Sequence, residues 1–126
     1  PSVRCLDLSE SFVEGDVAIF SMFPELVALY LAEAGSVVGD LKTLLSGTSL
    51  TAVNLRGTGV EGSLSDALRD CRTDLKLLDL SDTLVEGDLD AQRLTNVVLL
   101  SLMRCGDITG TISTLAPLRT LVDARA

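Results

Sequence analysis

Two stretches of the chain are nearly identical and begin 72 residues apart, at Leu6 and Leu78. The first reads LDLSESFVEGDV and the second reads LDLSDTLVEGDL. Their shared pattern, L-x-L followed by V-x-G-D, also recurs between them. Copies start at Val3, Leu26, Leu50, Leu75 and Val97, and a partial sixth copy contains Leu118 and Leu121. The separation therefore equals three repeats of about 24 residues, a period that predicts stacked structural units.

The apolar residues of each copy follow the spacing L-x-x-L-x-L, which is typical of a short strand with its leucines on one face. Such a strand cannot bury that face alone. We therefore predict that the copies stack into a parallel sheet over one continuous core. Hydrophobic residues make up 47% of the chain, but only three are Phe, one is Tyr and none is Trp, so this core must be aliphatic.

A glycine and then a small polar residue follow each strand. The pairs are Gly15–Asp16, Gly39–Asp40, Gly62–Ser63, Gly87–Asp88 and Gly110–Thr111. Glycine permits a bend, and the polar oxygen can cap the turn that follows. Stacked aspartates could instead bind calcium, but Ser and Thr in the same column favour capping. A second column, Glu14, Glu61 and Glu86, is interpreted as a solvated face.

The segments LKLLDLSDTLVEGDL and VVLLSLMRCGDITGTISTL resemble the leucine-rich repeat family, and most closely its plant-type subclass, which carries an L-x-G-x-I/L step after the strand. The resemblance covers essentially the whole chain. It implies an α/β repeat solenoid, a right-handed coil of about five to six turns. In such a fold the parallel sheet lines the concave face, and short helices, 3-10 turns or loops form the convex face. Residues 1–126 would form a single domain, which we expect to be a fragment of a longer chain because it starts at Pro1.

Two features depart from the plant-type pattern. The proline usual after the G-x-I step is absent, and the asparagine usual after the strand is replaced by Ser11, Ala34, Thr58, Thr83 and Cys105. We expect the hydroxyl groups to bond the backbone inside the bend, and the turn at Ala34 to be looser or hydrated.

The segments that return the chain to the next strand are mixed. DVAIFSMFPEL and SDALRDC predict short helices or 3-10 turns, the second capped by Ser65 or Asp66. SGTS, at residues 46–49, predicts a loop.

The charge of the chain limits its partners. Eighteen acidic and ten basic residues give a net charge of −8, which argues against binding to nucleic acid or to anionic lipid. The apolar runs are too short to span a bilayer, so we expect no direct membrane insertion. Three cysteines at irregular spacing and the lack of an Asn-x-Ser/Thr sequon favour an intracellular or organellar compartment over secretion.

The residue types needed for catalysis are scarce. The chain has no histidine, and its two lysines, Lys42 and Lys76, lie in no catalytic motif. We expect no enzyme activity, cofactor or metal. Cys105 is interpreted as a buried structural thiol and Cys71 as inert packing, whereas Cys5 should face outward.

The x residues of L-x-x-L-x-L-x should point away from the core, onto the concave face of a leucine-rich repeat. By this alternation the face includes Ala28, Ala52, Ser81, Ser101, Val122 and Ala124. The predicted partner-binding residues on it are Tyr30, Asn54, Arg56, Leu77, Asp79, Leu99, Met103 and Arg104. Leu77, Leu99 and Met103 are apolar at positions meant for water, and Tyr30 and Arg56 are residue types that anchor interfaces.

These observations predict a non-catalytic protein–protein interaction module. The high apolar content and the lack of visible end caps favour a scaffold or accessory subunit of a larger, multi-subunit assembly, with neighbouring repeats or partners covering the ends. A ligand-recognition ectodomain or sensor region of a longer receptor-like protein remains the alternative. Repeat folds serve many functions, so the fold does not choose between them.

Overall fold

A computed structural model describes residues 2–89, 92, 94–111 and 113, together with the backbone of residues 123–125. Its strands are β1 (Cys5–Asp7), β2 (Gly15–Asp16), β3 (Ala28–Tyr30), β4 (Val37–Asp40), β5 (Ala52–Asn54), β6 (Gly59–Ser63), β7 (Leu77–Asp79), β8 (Leu84–Asp88), β9 (Leu99–Ser101), β10 (Ile108–Thr109) and β11 (Asp123–Arg125). A 3-10 helix spans Val17–Met22, and two α-helices follow, α1 (Leu41–Gly47) and α2 (Leu64–Arg69). The chain has an α/β fold with two parallel sheets and short helices, and the described strands close no barrel.

The first sheet has the order β1-β3-β5-β7-β9-β11, so each repeat contributes one strand beside that of the preceding repeat. The middle residues of the repeated pattern pair directly, Leu6 with Leu29, then Val53, Leu78 and Leu100. The predicted parallel sheet and its register are therefore confirmed for the first five copies.

The partial sixth copy is in a different register from the one predicted. The pattern aligns Leu121 with Leu100, but the structure pairs Ala124 with Leu100 and Arg125 with Ser101. This is a shift of three residues, so the predicted register of the sixth copy is wrong. The hydrophobic pattern specifies the register of a strand, and the sixth copy retains only two leucines of that pattern, Leu118 and Leu121. Leu118, Leu121 and Val122 lie outside the described residues.

A second parallel sheet, β10-β8-β6-β4-β2, was not predicted. It is formed by the V-x-G-D segments, where the sequence suggested only a bend. The glycine of one repeat pairs with an apolar residue of the next repeat, the one that lies two positions before that repeat's own glycine. Gly39, for example, pairs with Val60, and Gly62 pairs with Val85. All five glycines of this column have positive φ, from 104° at Gly87 to 138° at Gly110, so the expected backbone role of glycine is confirmed.

Three residues of the capping column cap the helix that follows them, as predicted. Asp16 accepts a hydrogen bond from Ala18 N at 2.8 Å and begins the 3-10 helix, and Asp40 accepts one from Lys42 N at 2.8 Å and begins α1. Ser63 caps α2 by accepting from Asp66 N at 3.3 Å, so the prediction of Ser65 or Asp66 as that cap is wrong. The predicted loop at residues 46–49 is also partly wrong, because α1 extends through Ser46 and Gly47.

The core lies between the two sheets and the helices and is almost entirely Leu and Val. Leu29, Val53 and Leu78 from the first sheet and Val60 and Val85 from the second have no exposed surface. Removing this aliphatic area from water is the main stabilising term available to such a chain.

The turns after the first-sheet strands use the residues that replace asparagine. Ser11, Thr58 and Thr83 donate their hydroxyl hydrogens to the carbonyl oxygens of Leu8, Leu55 and Leu80 at 2.6–2.7 Å, as expected. Ala34 lacks a hydroxyl, yet it is fully buried and its N–H bonds Leu31 O at 3.0 Å. The expected loosening there is wrong, because the backbone bond closes the turn without a side chain.

Candidate interaction surface

The open face of the first sheet is the side that points away from the core, and it corresponds to the predicted concave face. Leu77 and Leu99 lie next to each other on it, paired in register on β7 and β9, and both are half-buried. Ala28 and Ala52 continue the same row towards β1. An apolar strip therefore crosses several strands, with two large side chains at one end and two small ones at the other.

Ser81 and Ser101, which alternation placed on this face, are buried, with 1% and 6% of their surface exposed. Their hydroxyl oxygens are 2.6 Å apart, and Ser81 Oγ accepts a hydrogen bond from Met103 N at 3.3 Å. Their assignment to the accessible face is wrong because alternation gives a side chain's direction but not how far its neighbours cover it. Tyr30 and Met103 are half-buried on the face.

Asn54 and Asp79 have a structural role that the sequence analysis missed. Asn54 Oδ1 accepts a hydrogen bond from Arg56 N at 3.1 Å, and Asp79 Oδ1 accepts one from Ser81 N at 3.0 Å. Asp7 makes the same bond to Ser9 N at 3.0 Å, and this bond lowers the pKa of the Asp7 carboxyl. These side chains form Asx turns that end the strands of three repeats.

The residue four positions after the middle of each first-sheet strand adopts a left-handed conformation in the first five repeats. The φ angles are 57°, 64°, 73°, 57° and 53° at Glu10, Glu33, Gly57, Asp82 and Arg104. Non-glycine residues rarely adopt this conformation. It persists because backbone bonds fix it, for example Glu33 N to Arg56 O at 2.7 Å and Asp82 N to Met103 O at 2.8 Å.

Four charged residues at the edge of the open face form a network of ion pairs. Arg56 Nε lies 3.5 Å from Glu33 Oε1 and 3.6 Å from Asp82 Oδ2. Arg104 binds Asp82 through two hydrogen bonds, Nε to Oδ1 at 2.6 Å and an Nη2 bond to Oδ2 at 3.0 Å. Two of the predicted partner-binding residues, Arg56 and Arg104, therefore already form ion pairs with acidic residues of neighbouring repeats. Charge at this edge is largely neutralised before any partner arrives.

This network predicts a pH-dependent contribution to stability. The hydrogen bond from Arg104 lowers the pKa of Asp82 below its ordinary value of 3.8, and Asp82 in turn raises the pKa of Arg104. A lowered carboxyl pKa contributes stability that is present above the unfolded value and lost as the pH falls through the folded value. We expect Arg104→Gln to lower the free energy of unfolding at pH 7 modestly and to have a smaller effect at pH 2.5. Urea unfolding at both pH values measures this, and an equal loss at both would contradict the pairing. Arg72→Gln, at an exposed arginine outside the network, is the control.

The three thiols differ in their surroundings. Cys5 is exposed, as predicted, and Cys71 is half-buried against the core. Cys105 is half-buried, its Sγ lies 2.9 Å from Leu80 O, and burial raises the pKa of its thiol. A raised pKa keeps the thiol protonated and unreactive, which agrees with the structural role predicted for Cys105.

The edge of the molecule formed by β1 and β2 carries an open apolar cavity of about 410 Å³. Its lining includes Leu6, Leu8, Val13, Ile19, Phe20 and Phe23. Leu6, Leu8 and Val13 are half-buried, whereas Leu29, Leu31 and Val37, the equivalent residues of the next repeat, are buried. The stacking surface between repeats is thus exposed at this edge.

No group of three His, Cys, Asp or Glu side chains within the described parts of the chain is arranged to hold a metal ion. The described helices include none with the length and apolar character needed to cross a membrane. Searches with models of protein families, against curated proteins and against solved structures find no match to this chain.

Proposed function

We propose that the chain is a leucine-rich-repeat solenoid and acts as a non-catalytic protein–protein interaction module, a scaffold or accessory subunit of a larger assembly. The observation that carries this proposal is the apolar strip on the open face, where Leu77 and Leu99 are adjacent and incompletely buried. Adjacent apolar side chains on a sheet surface are typical of a contact surface.

The surroundings of the strip support a binding role. Tyr30 lies beside Ala28, and the ion pairs of Arg56 and Arg104 fix the edge of the face without leaving it strongly charged. Such a preorganised surface loses little conformational entropy when a partner binds. Of the predicted partner-binding residues, Leu77, Leu99, Tyr30 and Met103 would contact the partner directly. Asn54, Asp79, Arg56 and Arg104 would mainly hold the face in shape.

A pair of charge substitutions tests the proposal. The double variant Leu77→Asp with Leu99→Asp should leave the fold intact, because both side chains point away from the core. It should reduce the amount of partner protein recovered with the chain at least about tenfold. The measurement is affinity purification of the tagged chain from its source, with quantification of bound proteins.

Val38→Asp with Leu84→Asp is the matched control. These residues are 47% and 62% exposed on the second sheet, so the variant carries the same two added charges on the other side of the molecule. Equal loss of the partner in both double variants, or no loss in either, would contradict binding through the open face.

A further inference from the structure

Phe12 is the most exposed large apolar residue among those described, with 100% of its surface accessible. It precedes Val13, which lines the apolar cavity at the β1–β2 edge, but Phe12 itself does not enter that cavity. Ile19 and Met22, on the adjacent 3-10 helix, are 59% and 65% exposed. The same edge of the molecule therefore carries both an apolar projection and an apolar recess.

We propose that this edge binds a second copy of the chain about a two-fold axis, with Phe12 of each copy inserted into the cavity of the other. A two-fold interface uses the same patch on both subunits, so it requires a patch that is complementary to itself. A projecting ring beside a recess of about 410 Å³ meets that requirement. Aromatic side chains that fill a pocket dominate the affinity of such interfaces.

The backbone at this edge suits the arrangement. β1 pairs with β3 on one side, and none of the described strands pairs with its other side. An uncovered strand edge presents hydrogen-bonding groups to another strand. A two-fold axis would bring the two β1 strands together antiparallel.

The charges along β1 favour the antiparallel orientation. Arg4 precedes the strand and is exposed, whereas Asp7 and Glu10, at the other end, are also exposed. Antiparallel pairing places Arg4 of one copy near the acidic end of the other. Glu14 and Asp16 line the cavity, and each copy has a net charge of −8, so repulsion between the copies outweighs the attraction of Arg4. Added salt should therefore strengthen the dimer by screening the net repulsion.

The test is the mass of the 126-residue chain in solution, measured by sedimentation from about 1 μM to about 1 mM, the range of weak homodimers. We expect the mass to rise from 13.3 kDa towards twice that value, and the dimer to tighten when NaCl is added. Phe12→Asp should weaken dimerisation at least about 30-fold, the effect of losing hot-spot aromatic contacts.

Leu84→Asp is the control, because Leu84 occupies the equivalent position of its own repeat and is 62% exposed but does not line this cavity. It should dimerise like the unmodified chain. A chain that stays monomeric throughout, or equal dimerisation by the Phe12→Asp variant, would overturn the proposal and leave the cavity to another occupant.

A tryptophan reporter gives a second readout. The chain contains no Trp, so Phe12→Trp introduces one fluorophore at the proposed contact. Its emission should shift to shorter wavelength as the protein concentration rises, because the indole leaves water. An emission maximum that stays at the fully solvated position at all concentrations would contradict insertion into the cavity.

Discussion

Gly39→Ala is expected to lower the free energy of unfolding by about 3 kcal/mol, through backbone strain and the loss of a helix cap. Gly39 has a φ of +129°, which side chains rarely tolerate, and an added Cβ would lie 2.6 Å from Asp16 Oδ1 and 2.7 Å from Val17 Cγ2. Val17 is fully buried and cannot move aside. Asp16 can move only by releasing Ala18 N, so the substitution in one repeat breaks the cap of the preceding one.

Gly15→Ala separates the two causes. Gly15 has nearly the same φ, +132°, but nothing lies within 4 Å of an added Cβ. It should therefore lose only the conformational part, about 2 kcal/mol or less. Gly87→Ala should fall between them, since its Cβ would lie 3.2 Å from Ser63 Oγ. Urea unfolding of the three variants measures the order, and a Gly39 variant as stable as the Gly15 variant would contradict the packing between repeats.

Leu78→Ala is the second substitution with a large expected effect, a loss of about 3 kcal/mol from the transfer term and the cavity left behind. Leu78 is fully buried at the centre of β7, between Val53 and Leu100 in the sheet. The same strand provides the control, because Leu77 lies next to it on the opposite face. Leu77→Ala should cost about 1 kcal/mol, since Leu77 is only half-buried and its loss leaves no enclosed cavity.

The comparison of these two leucines tests the register directly. A shift of one residue would exchange the faces of the whole strand. If Leu77→Ala proved more destabilising than Leu78→Ala in denaturant unfolding, the assignment of core and open face would be reversed.

The first sheet could be predicted from the sequence because its leucines recur with a strand's alternation at a nearly constant period. Leu6 therefore pairs with Leu29, and Val53 pairs with Leu78, as the pattern requires. The second sheet could not be predicted, since its strands are as short as Gly15–Asp16 and contain glycine, a residue depleted in strands. These strands form because stacking of the first sheet already places their backbones side by side.

The open face was predicted in outline but not in its details. Alternation identified Leu77 and Leu99 correctly as incompletely buried, yet it could not show that Ser81 is covered. The left-handed column was also missed, because Glu10, Glu33 and Arg104 do not indicate that conformation. Only Gly57 and, more weakly, Asp82 are residue types in the column that favour it. Ion pairs such as Arg56 with Asp82 link different repeats, so they depend on the stacking distance and not on local sequence.

The native mass of the full-length protein, extracted gently from its source with the co-migrating proteins identified, shows whether the protein is a subunit of a larger assembly. We expect a large complex of fixed stoichiometry in which the protein is a structural subunit. Migration of the protein alone, or only as a pair of copies, at every extraction condition would contradict a role as a scaffold or accessory subunit of a larger assembly.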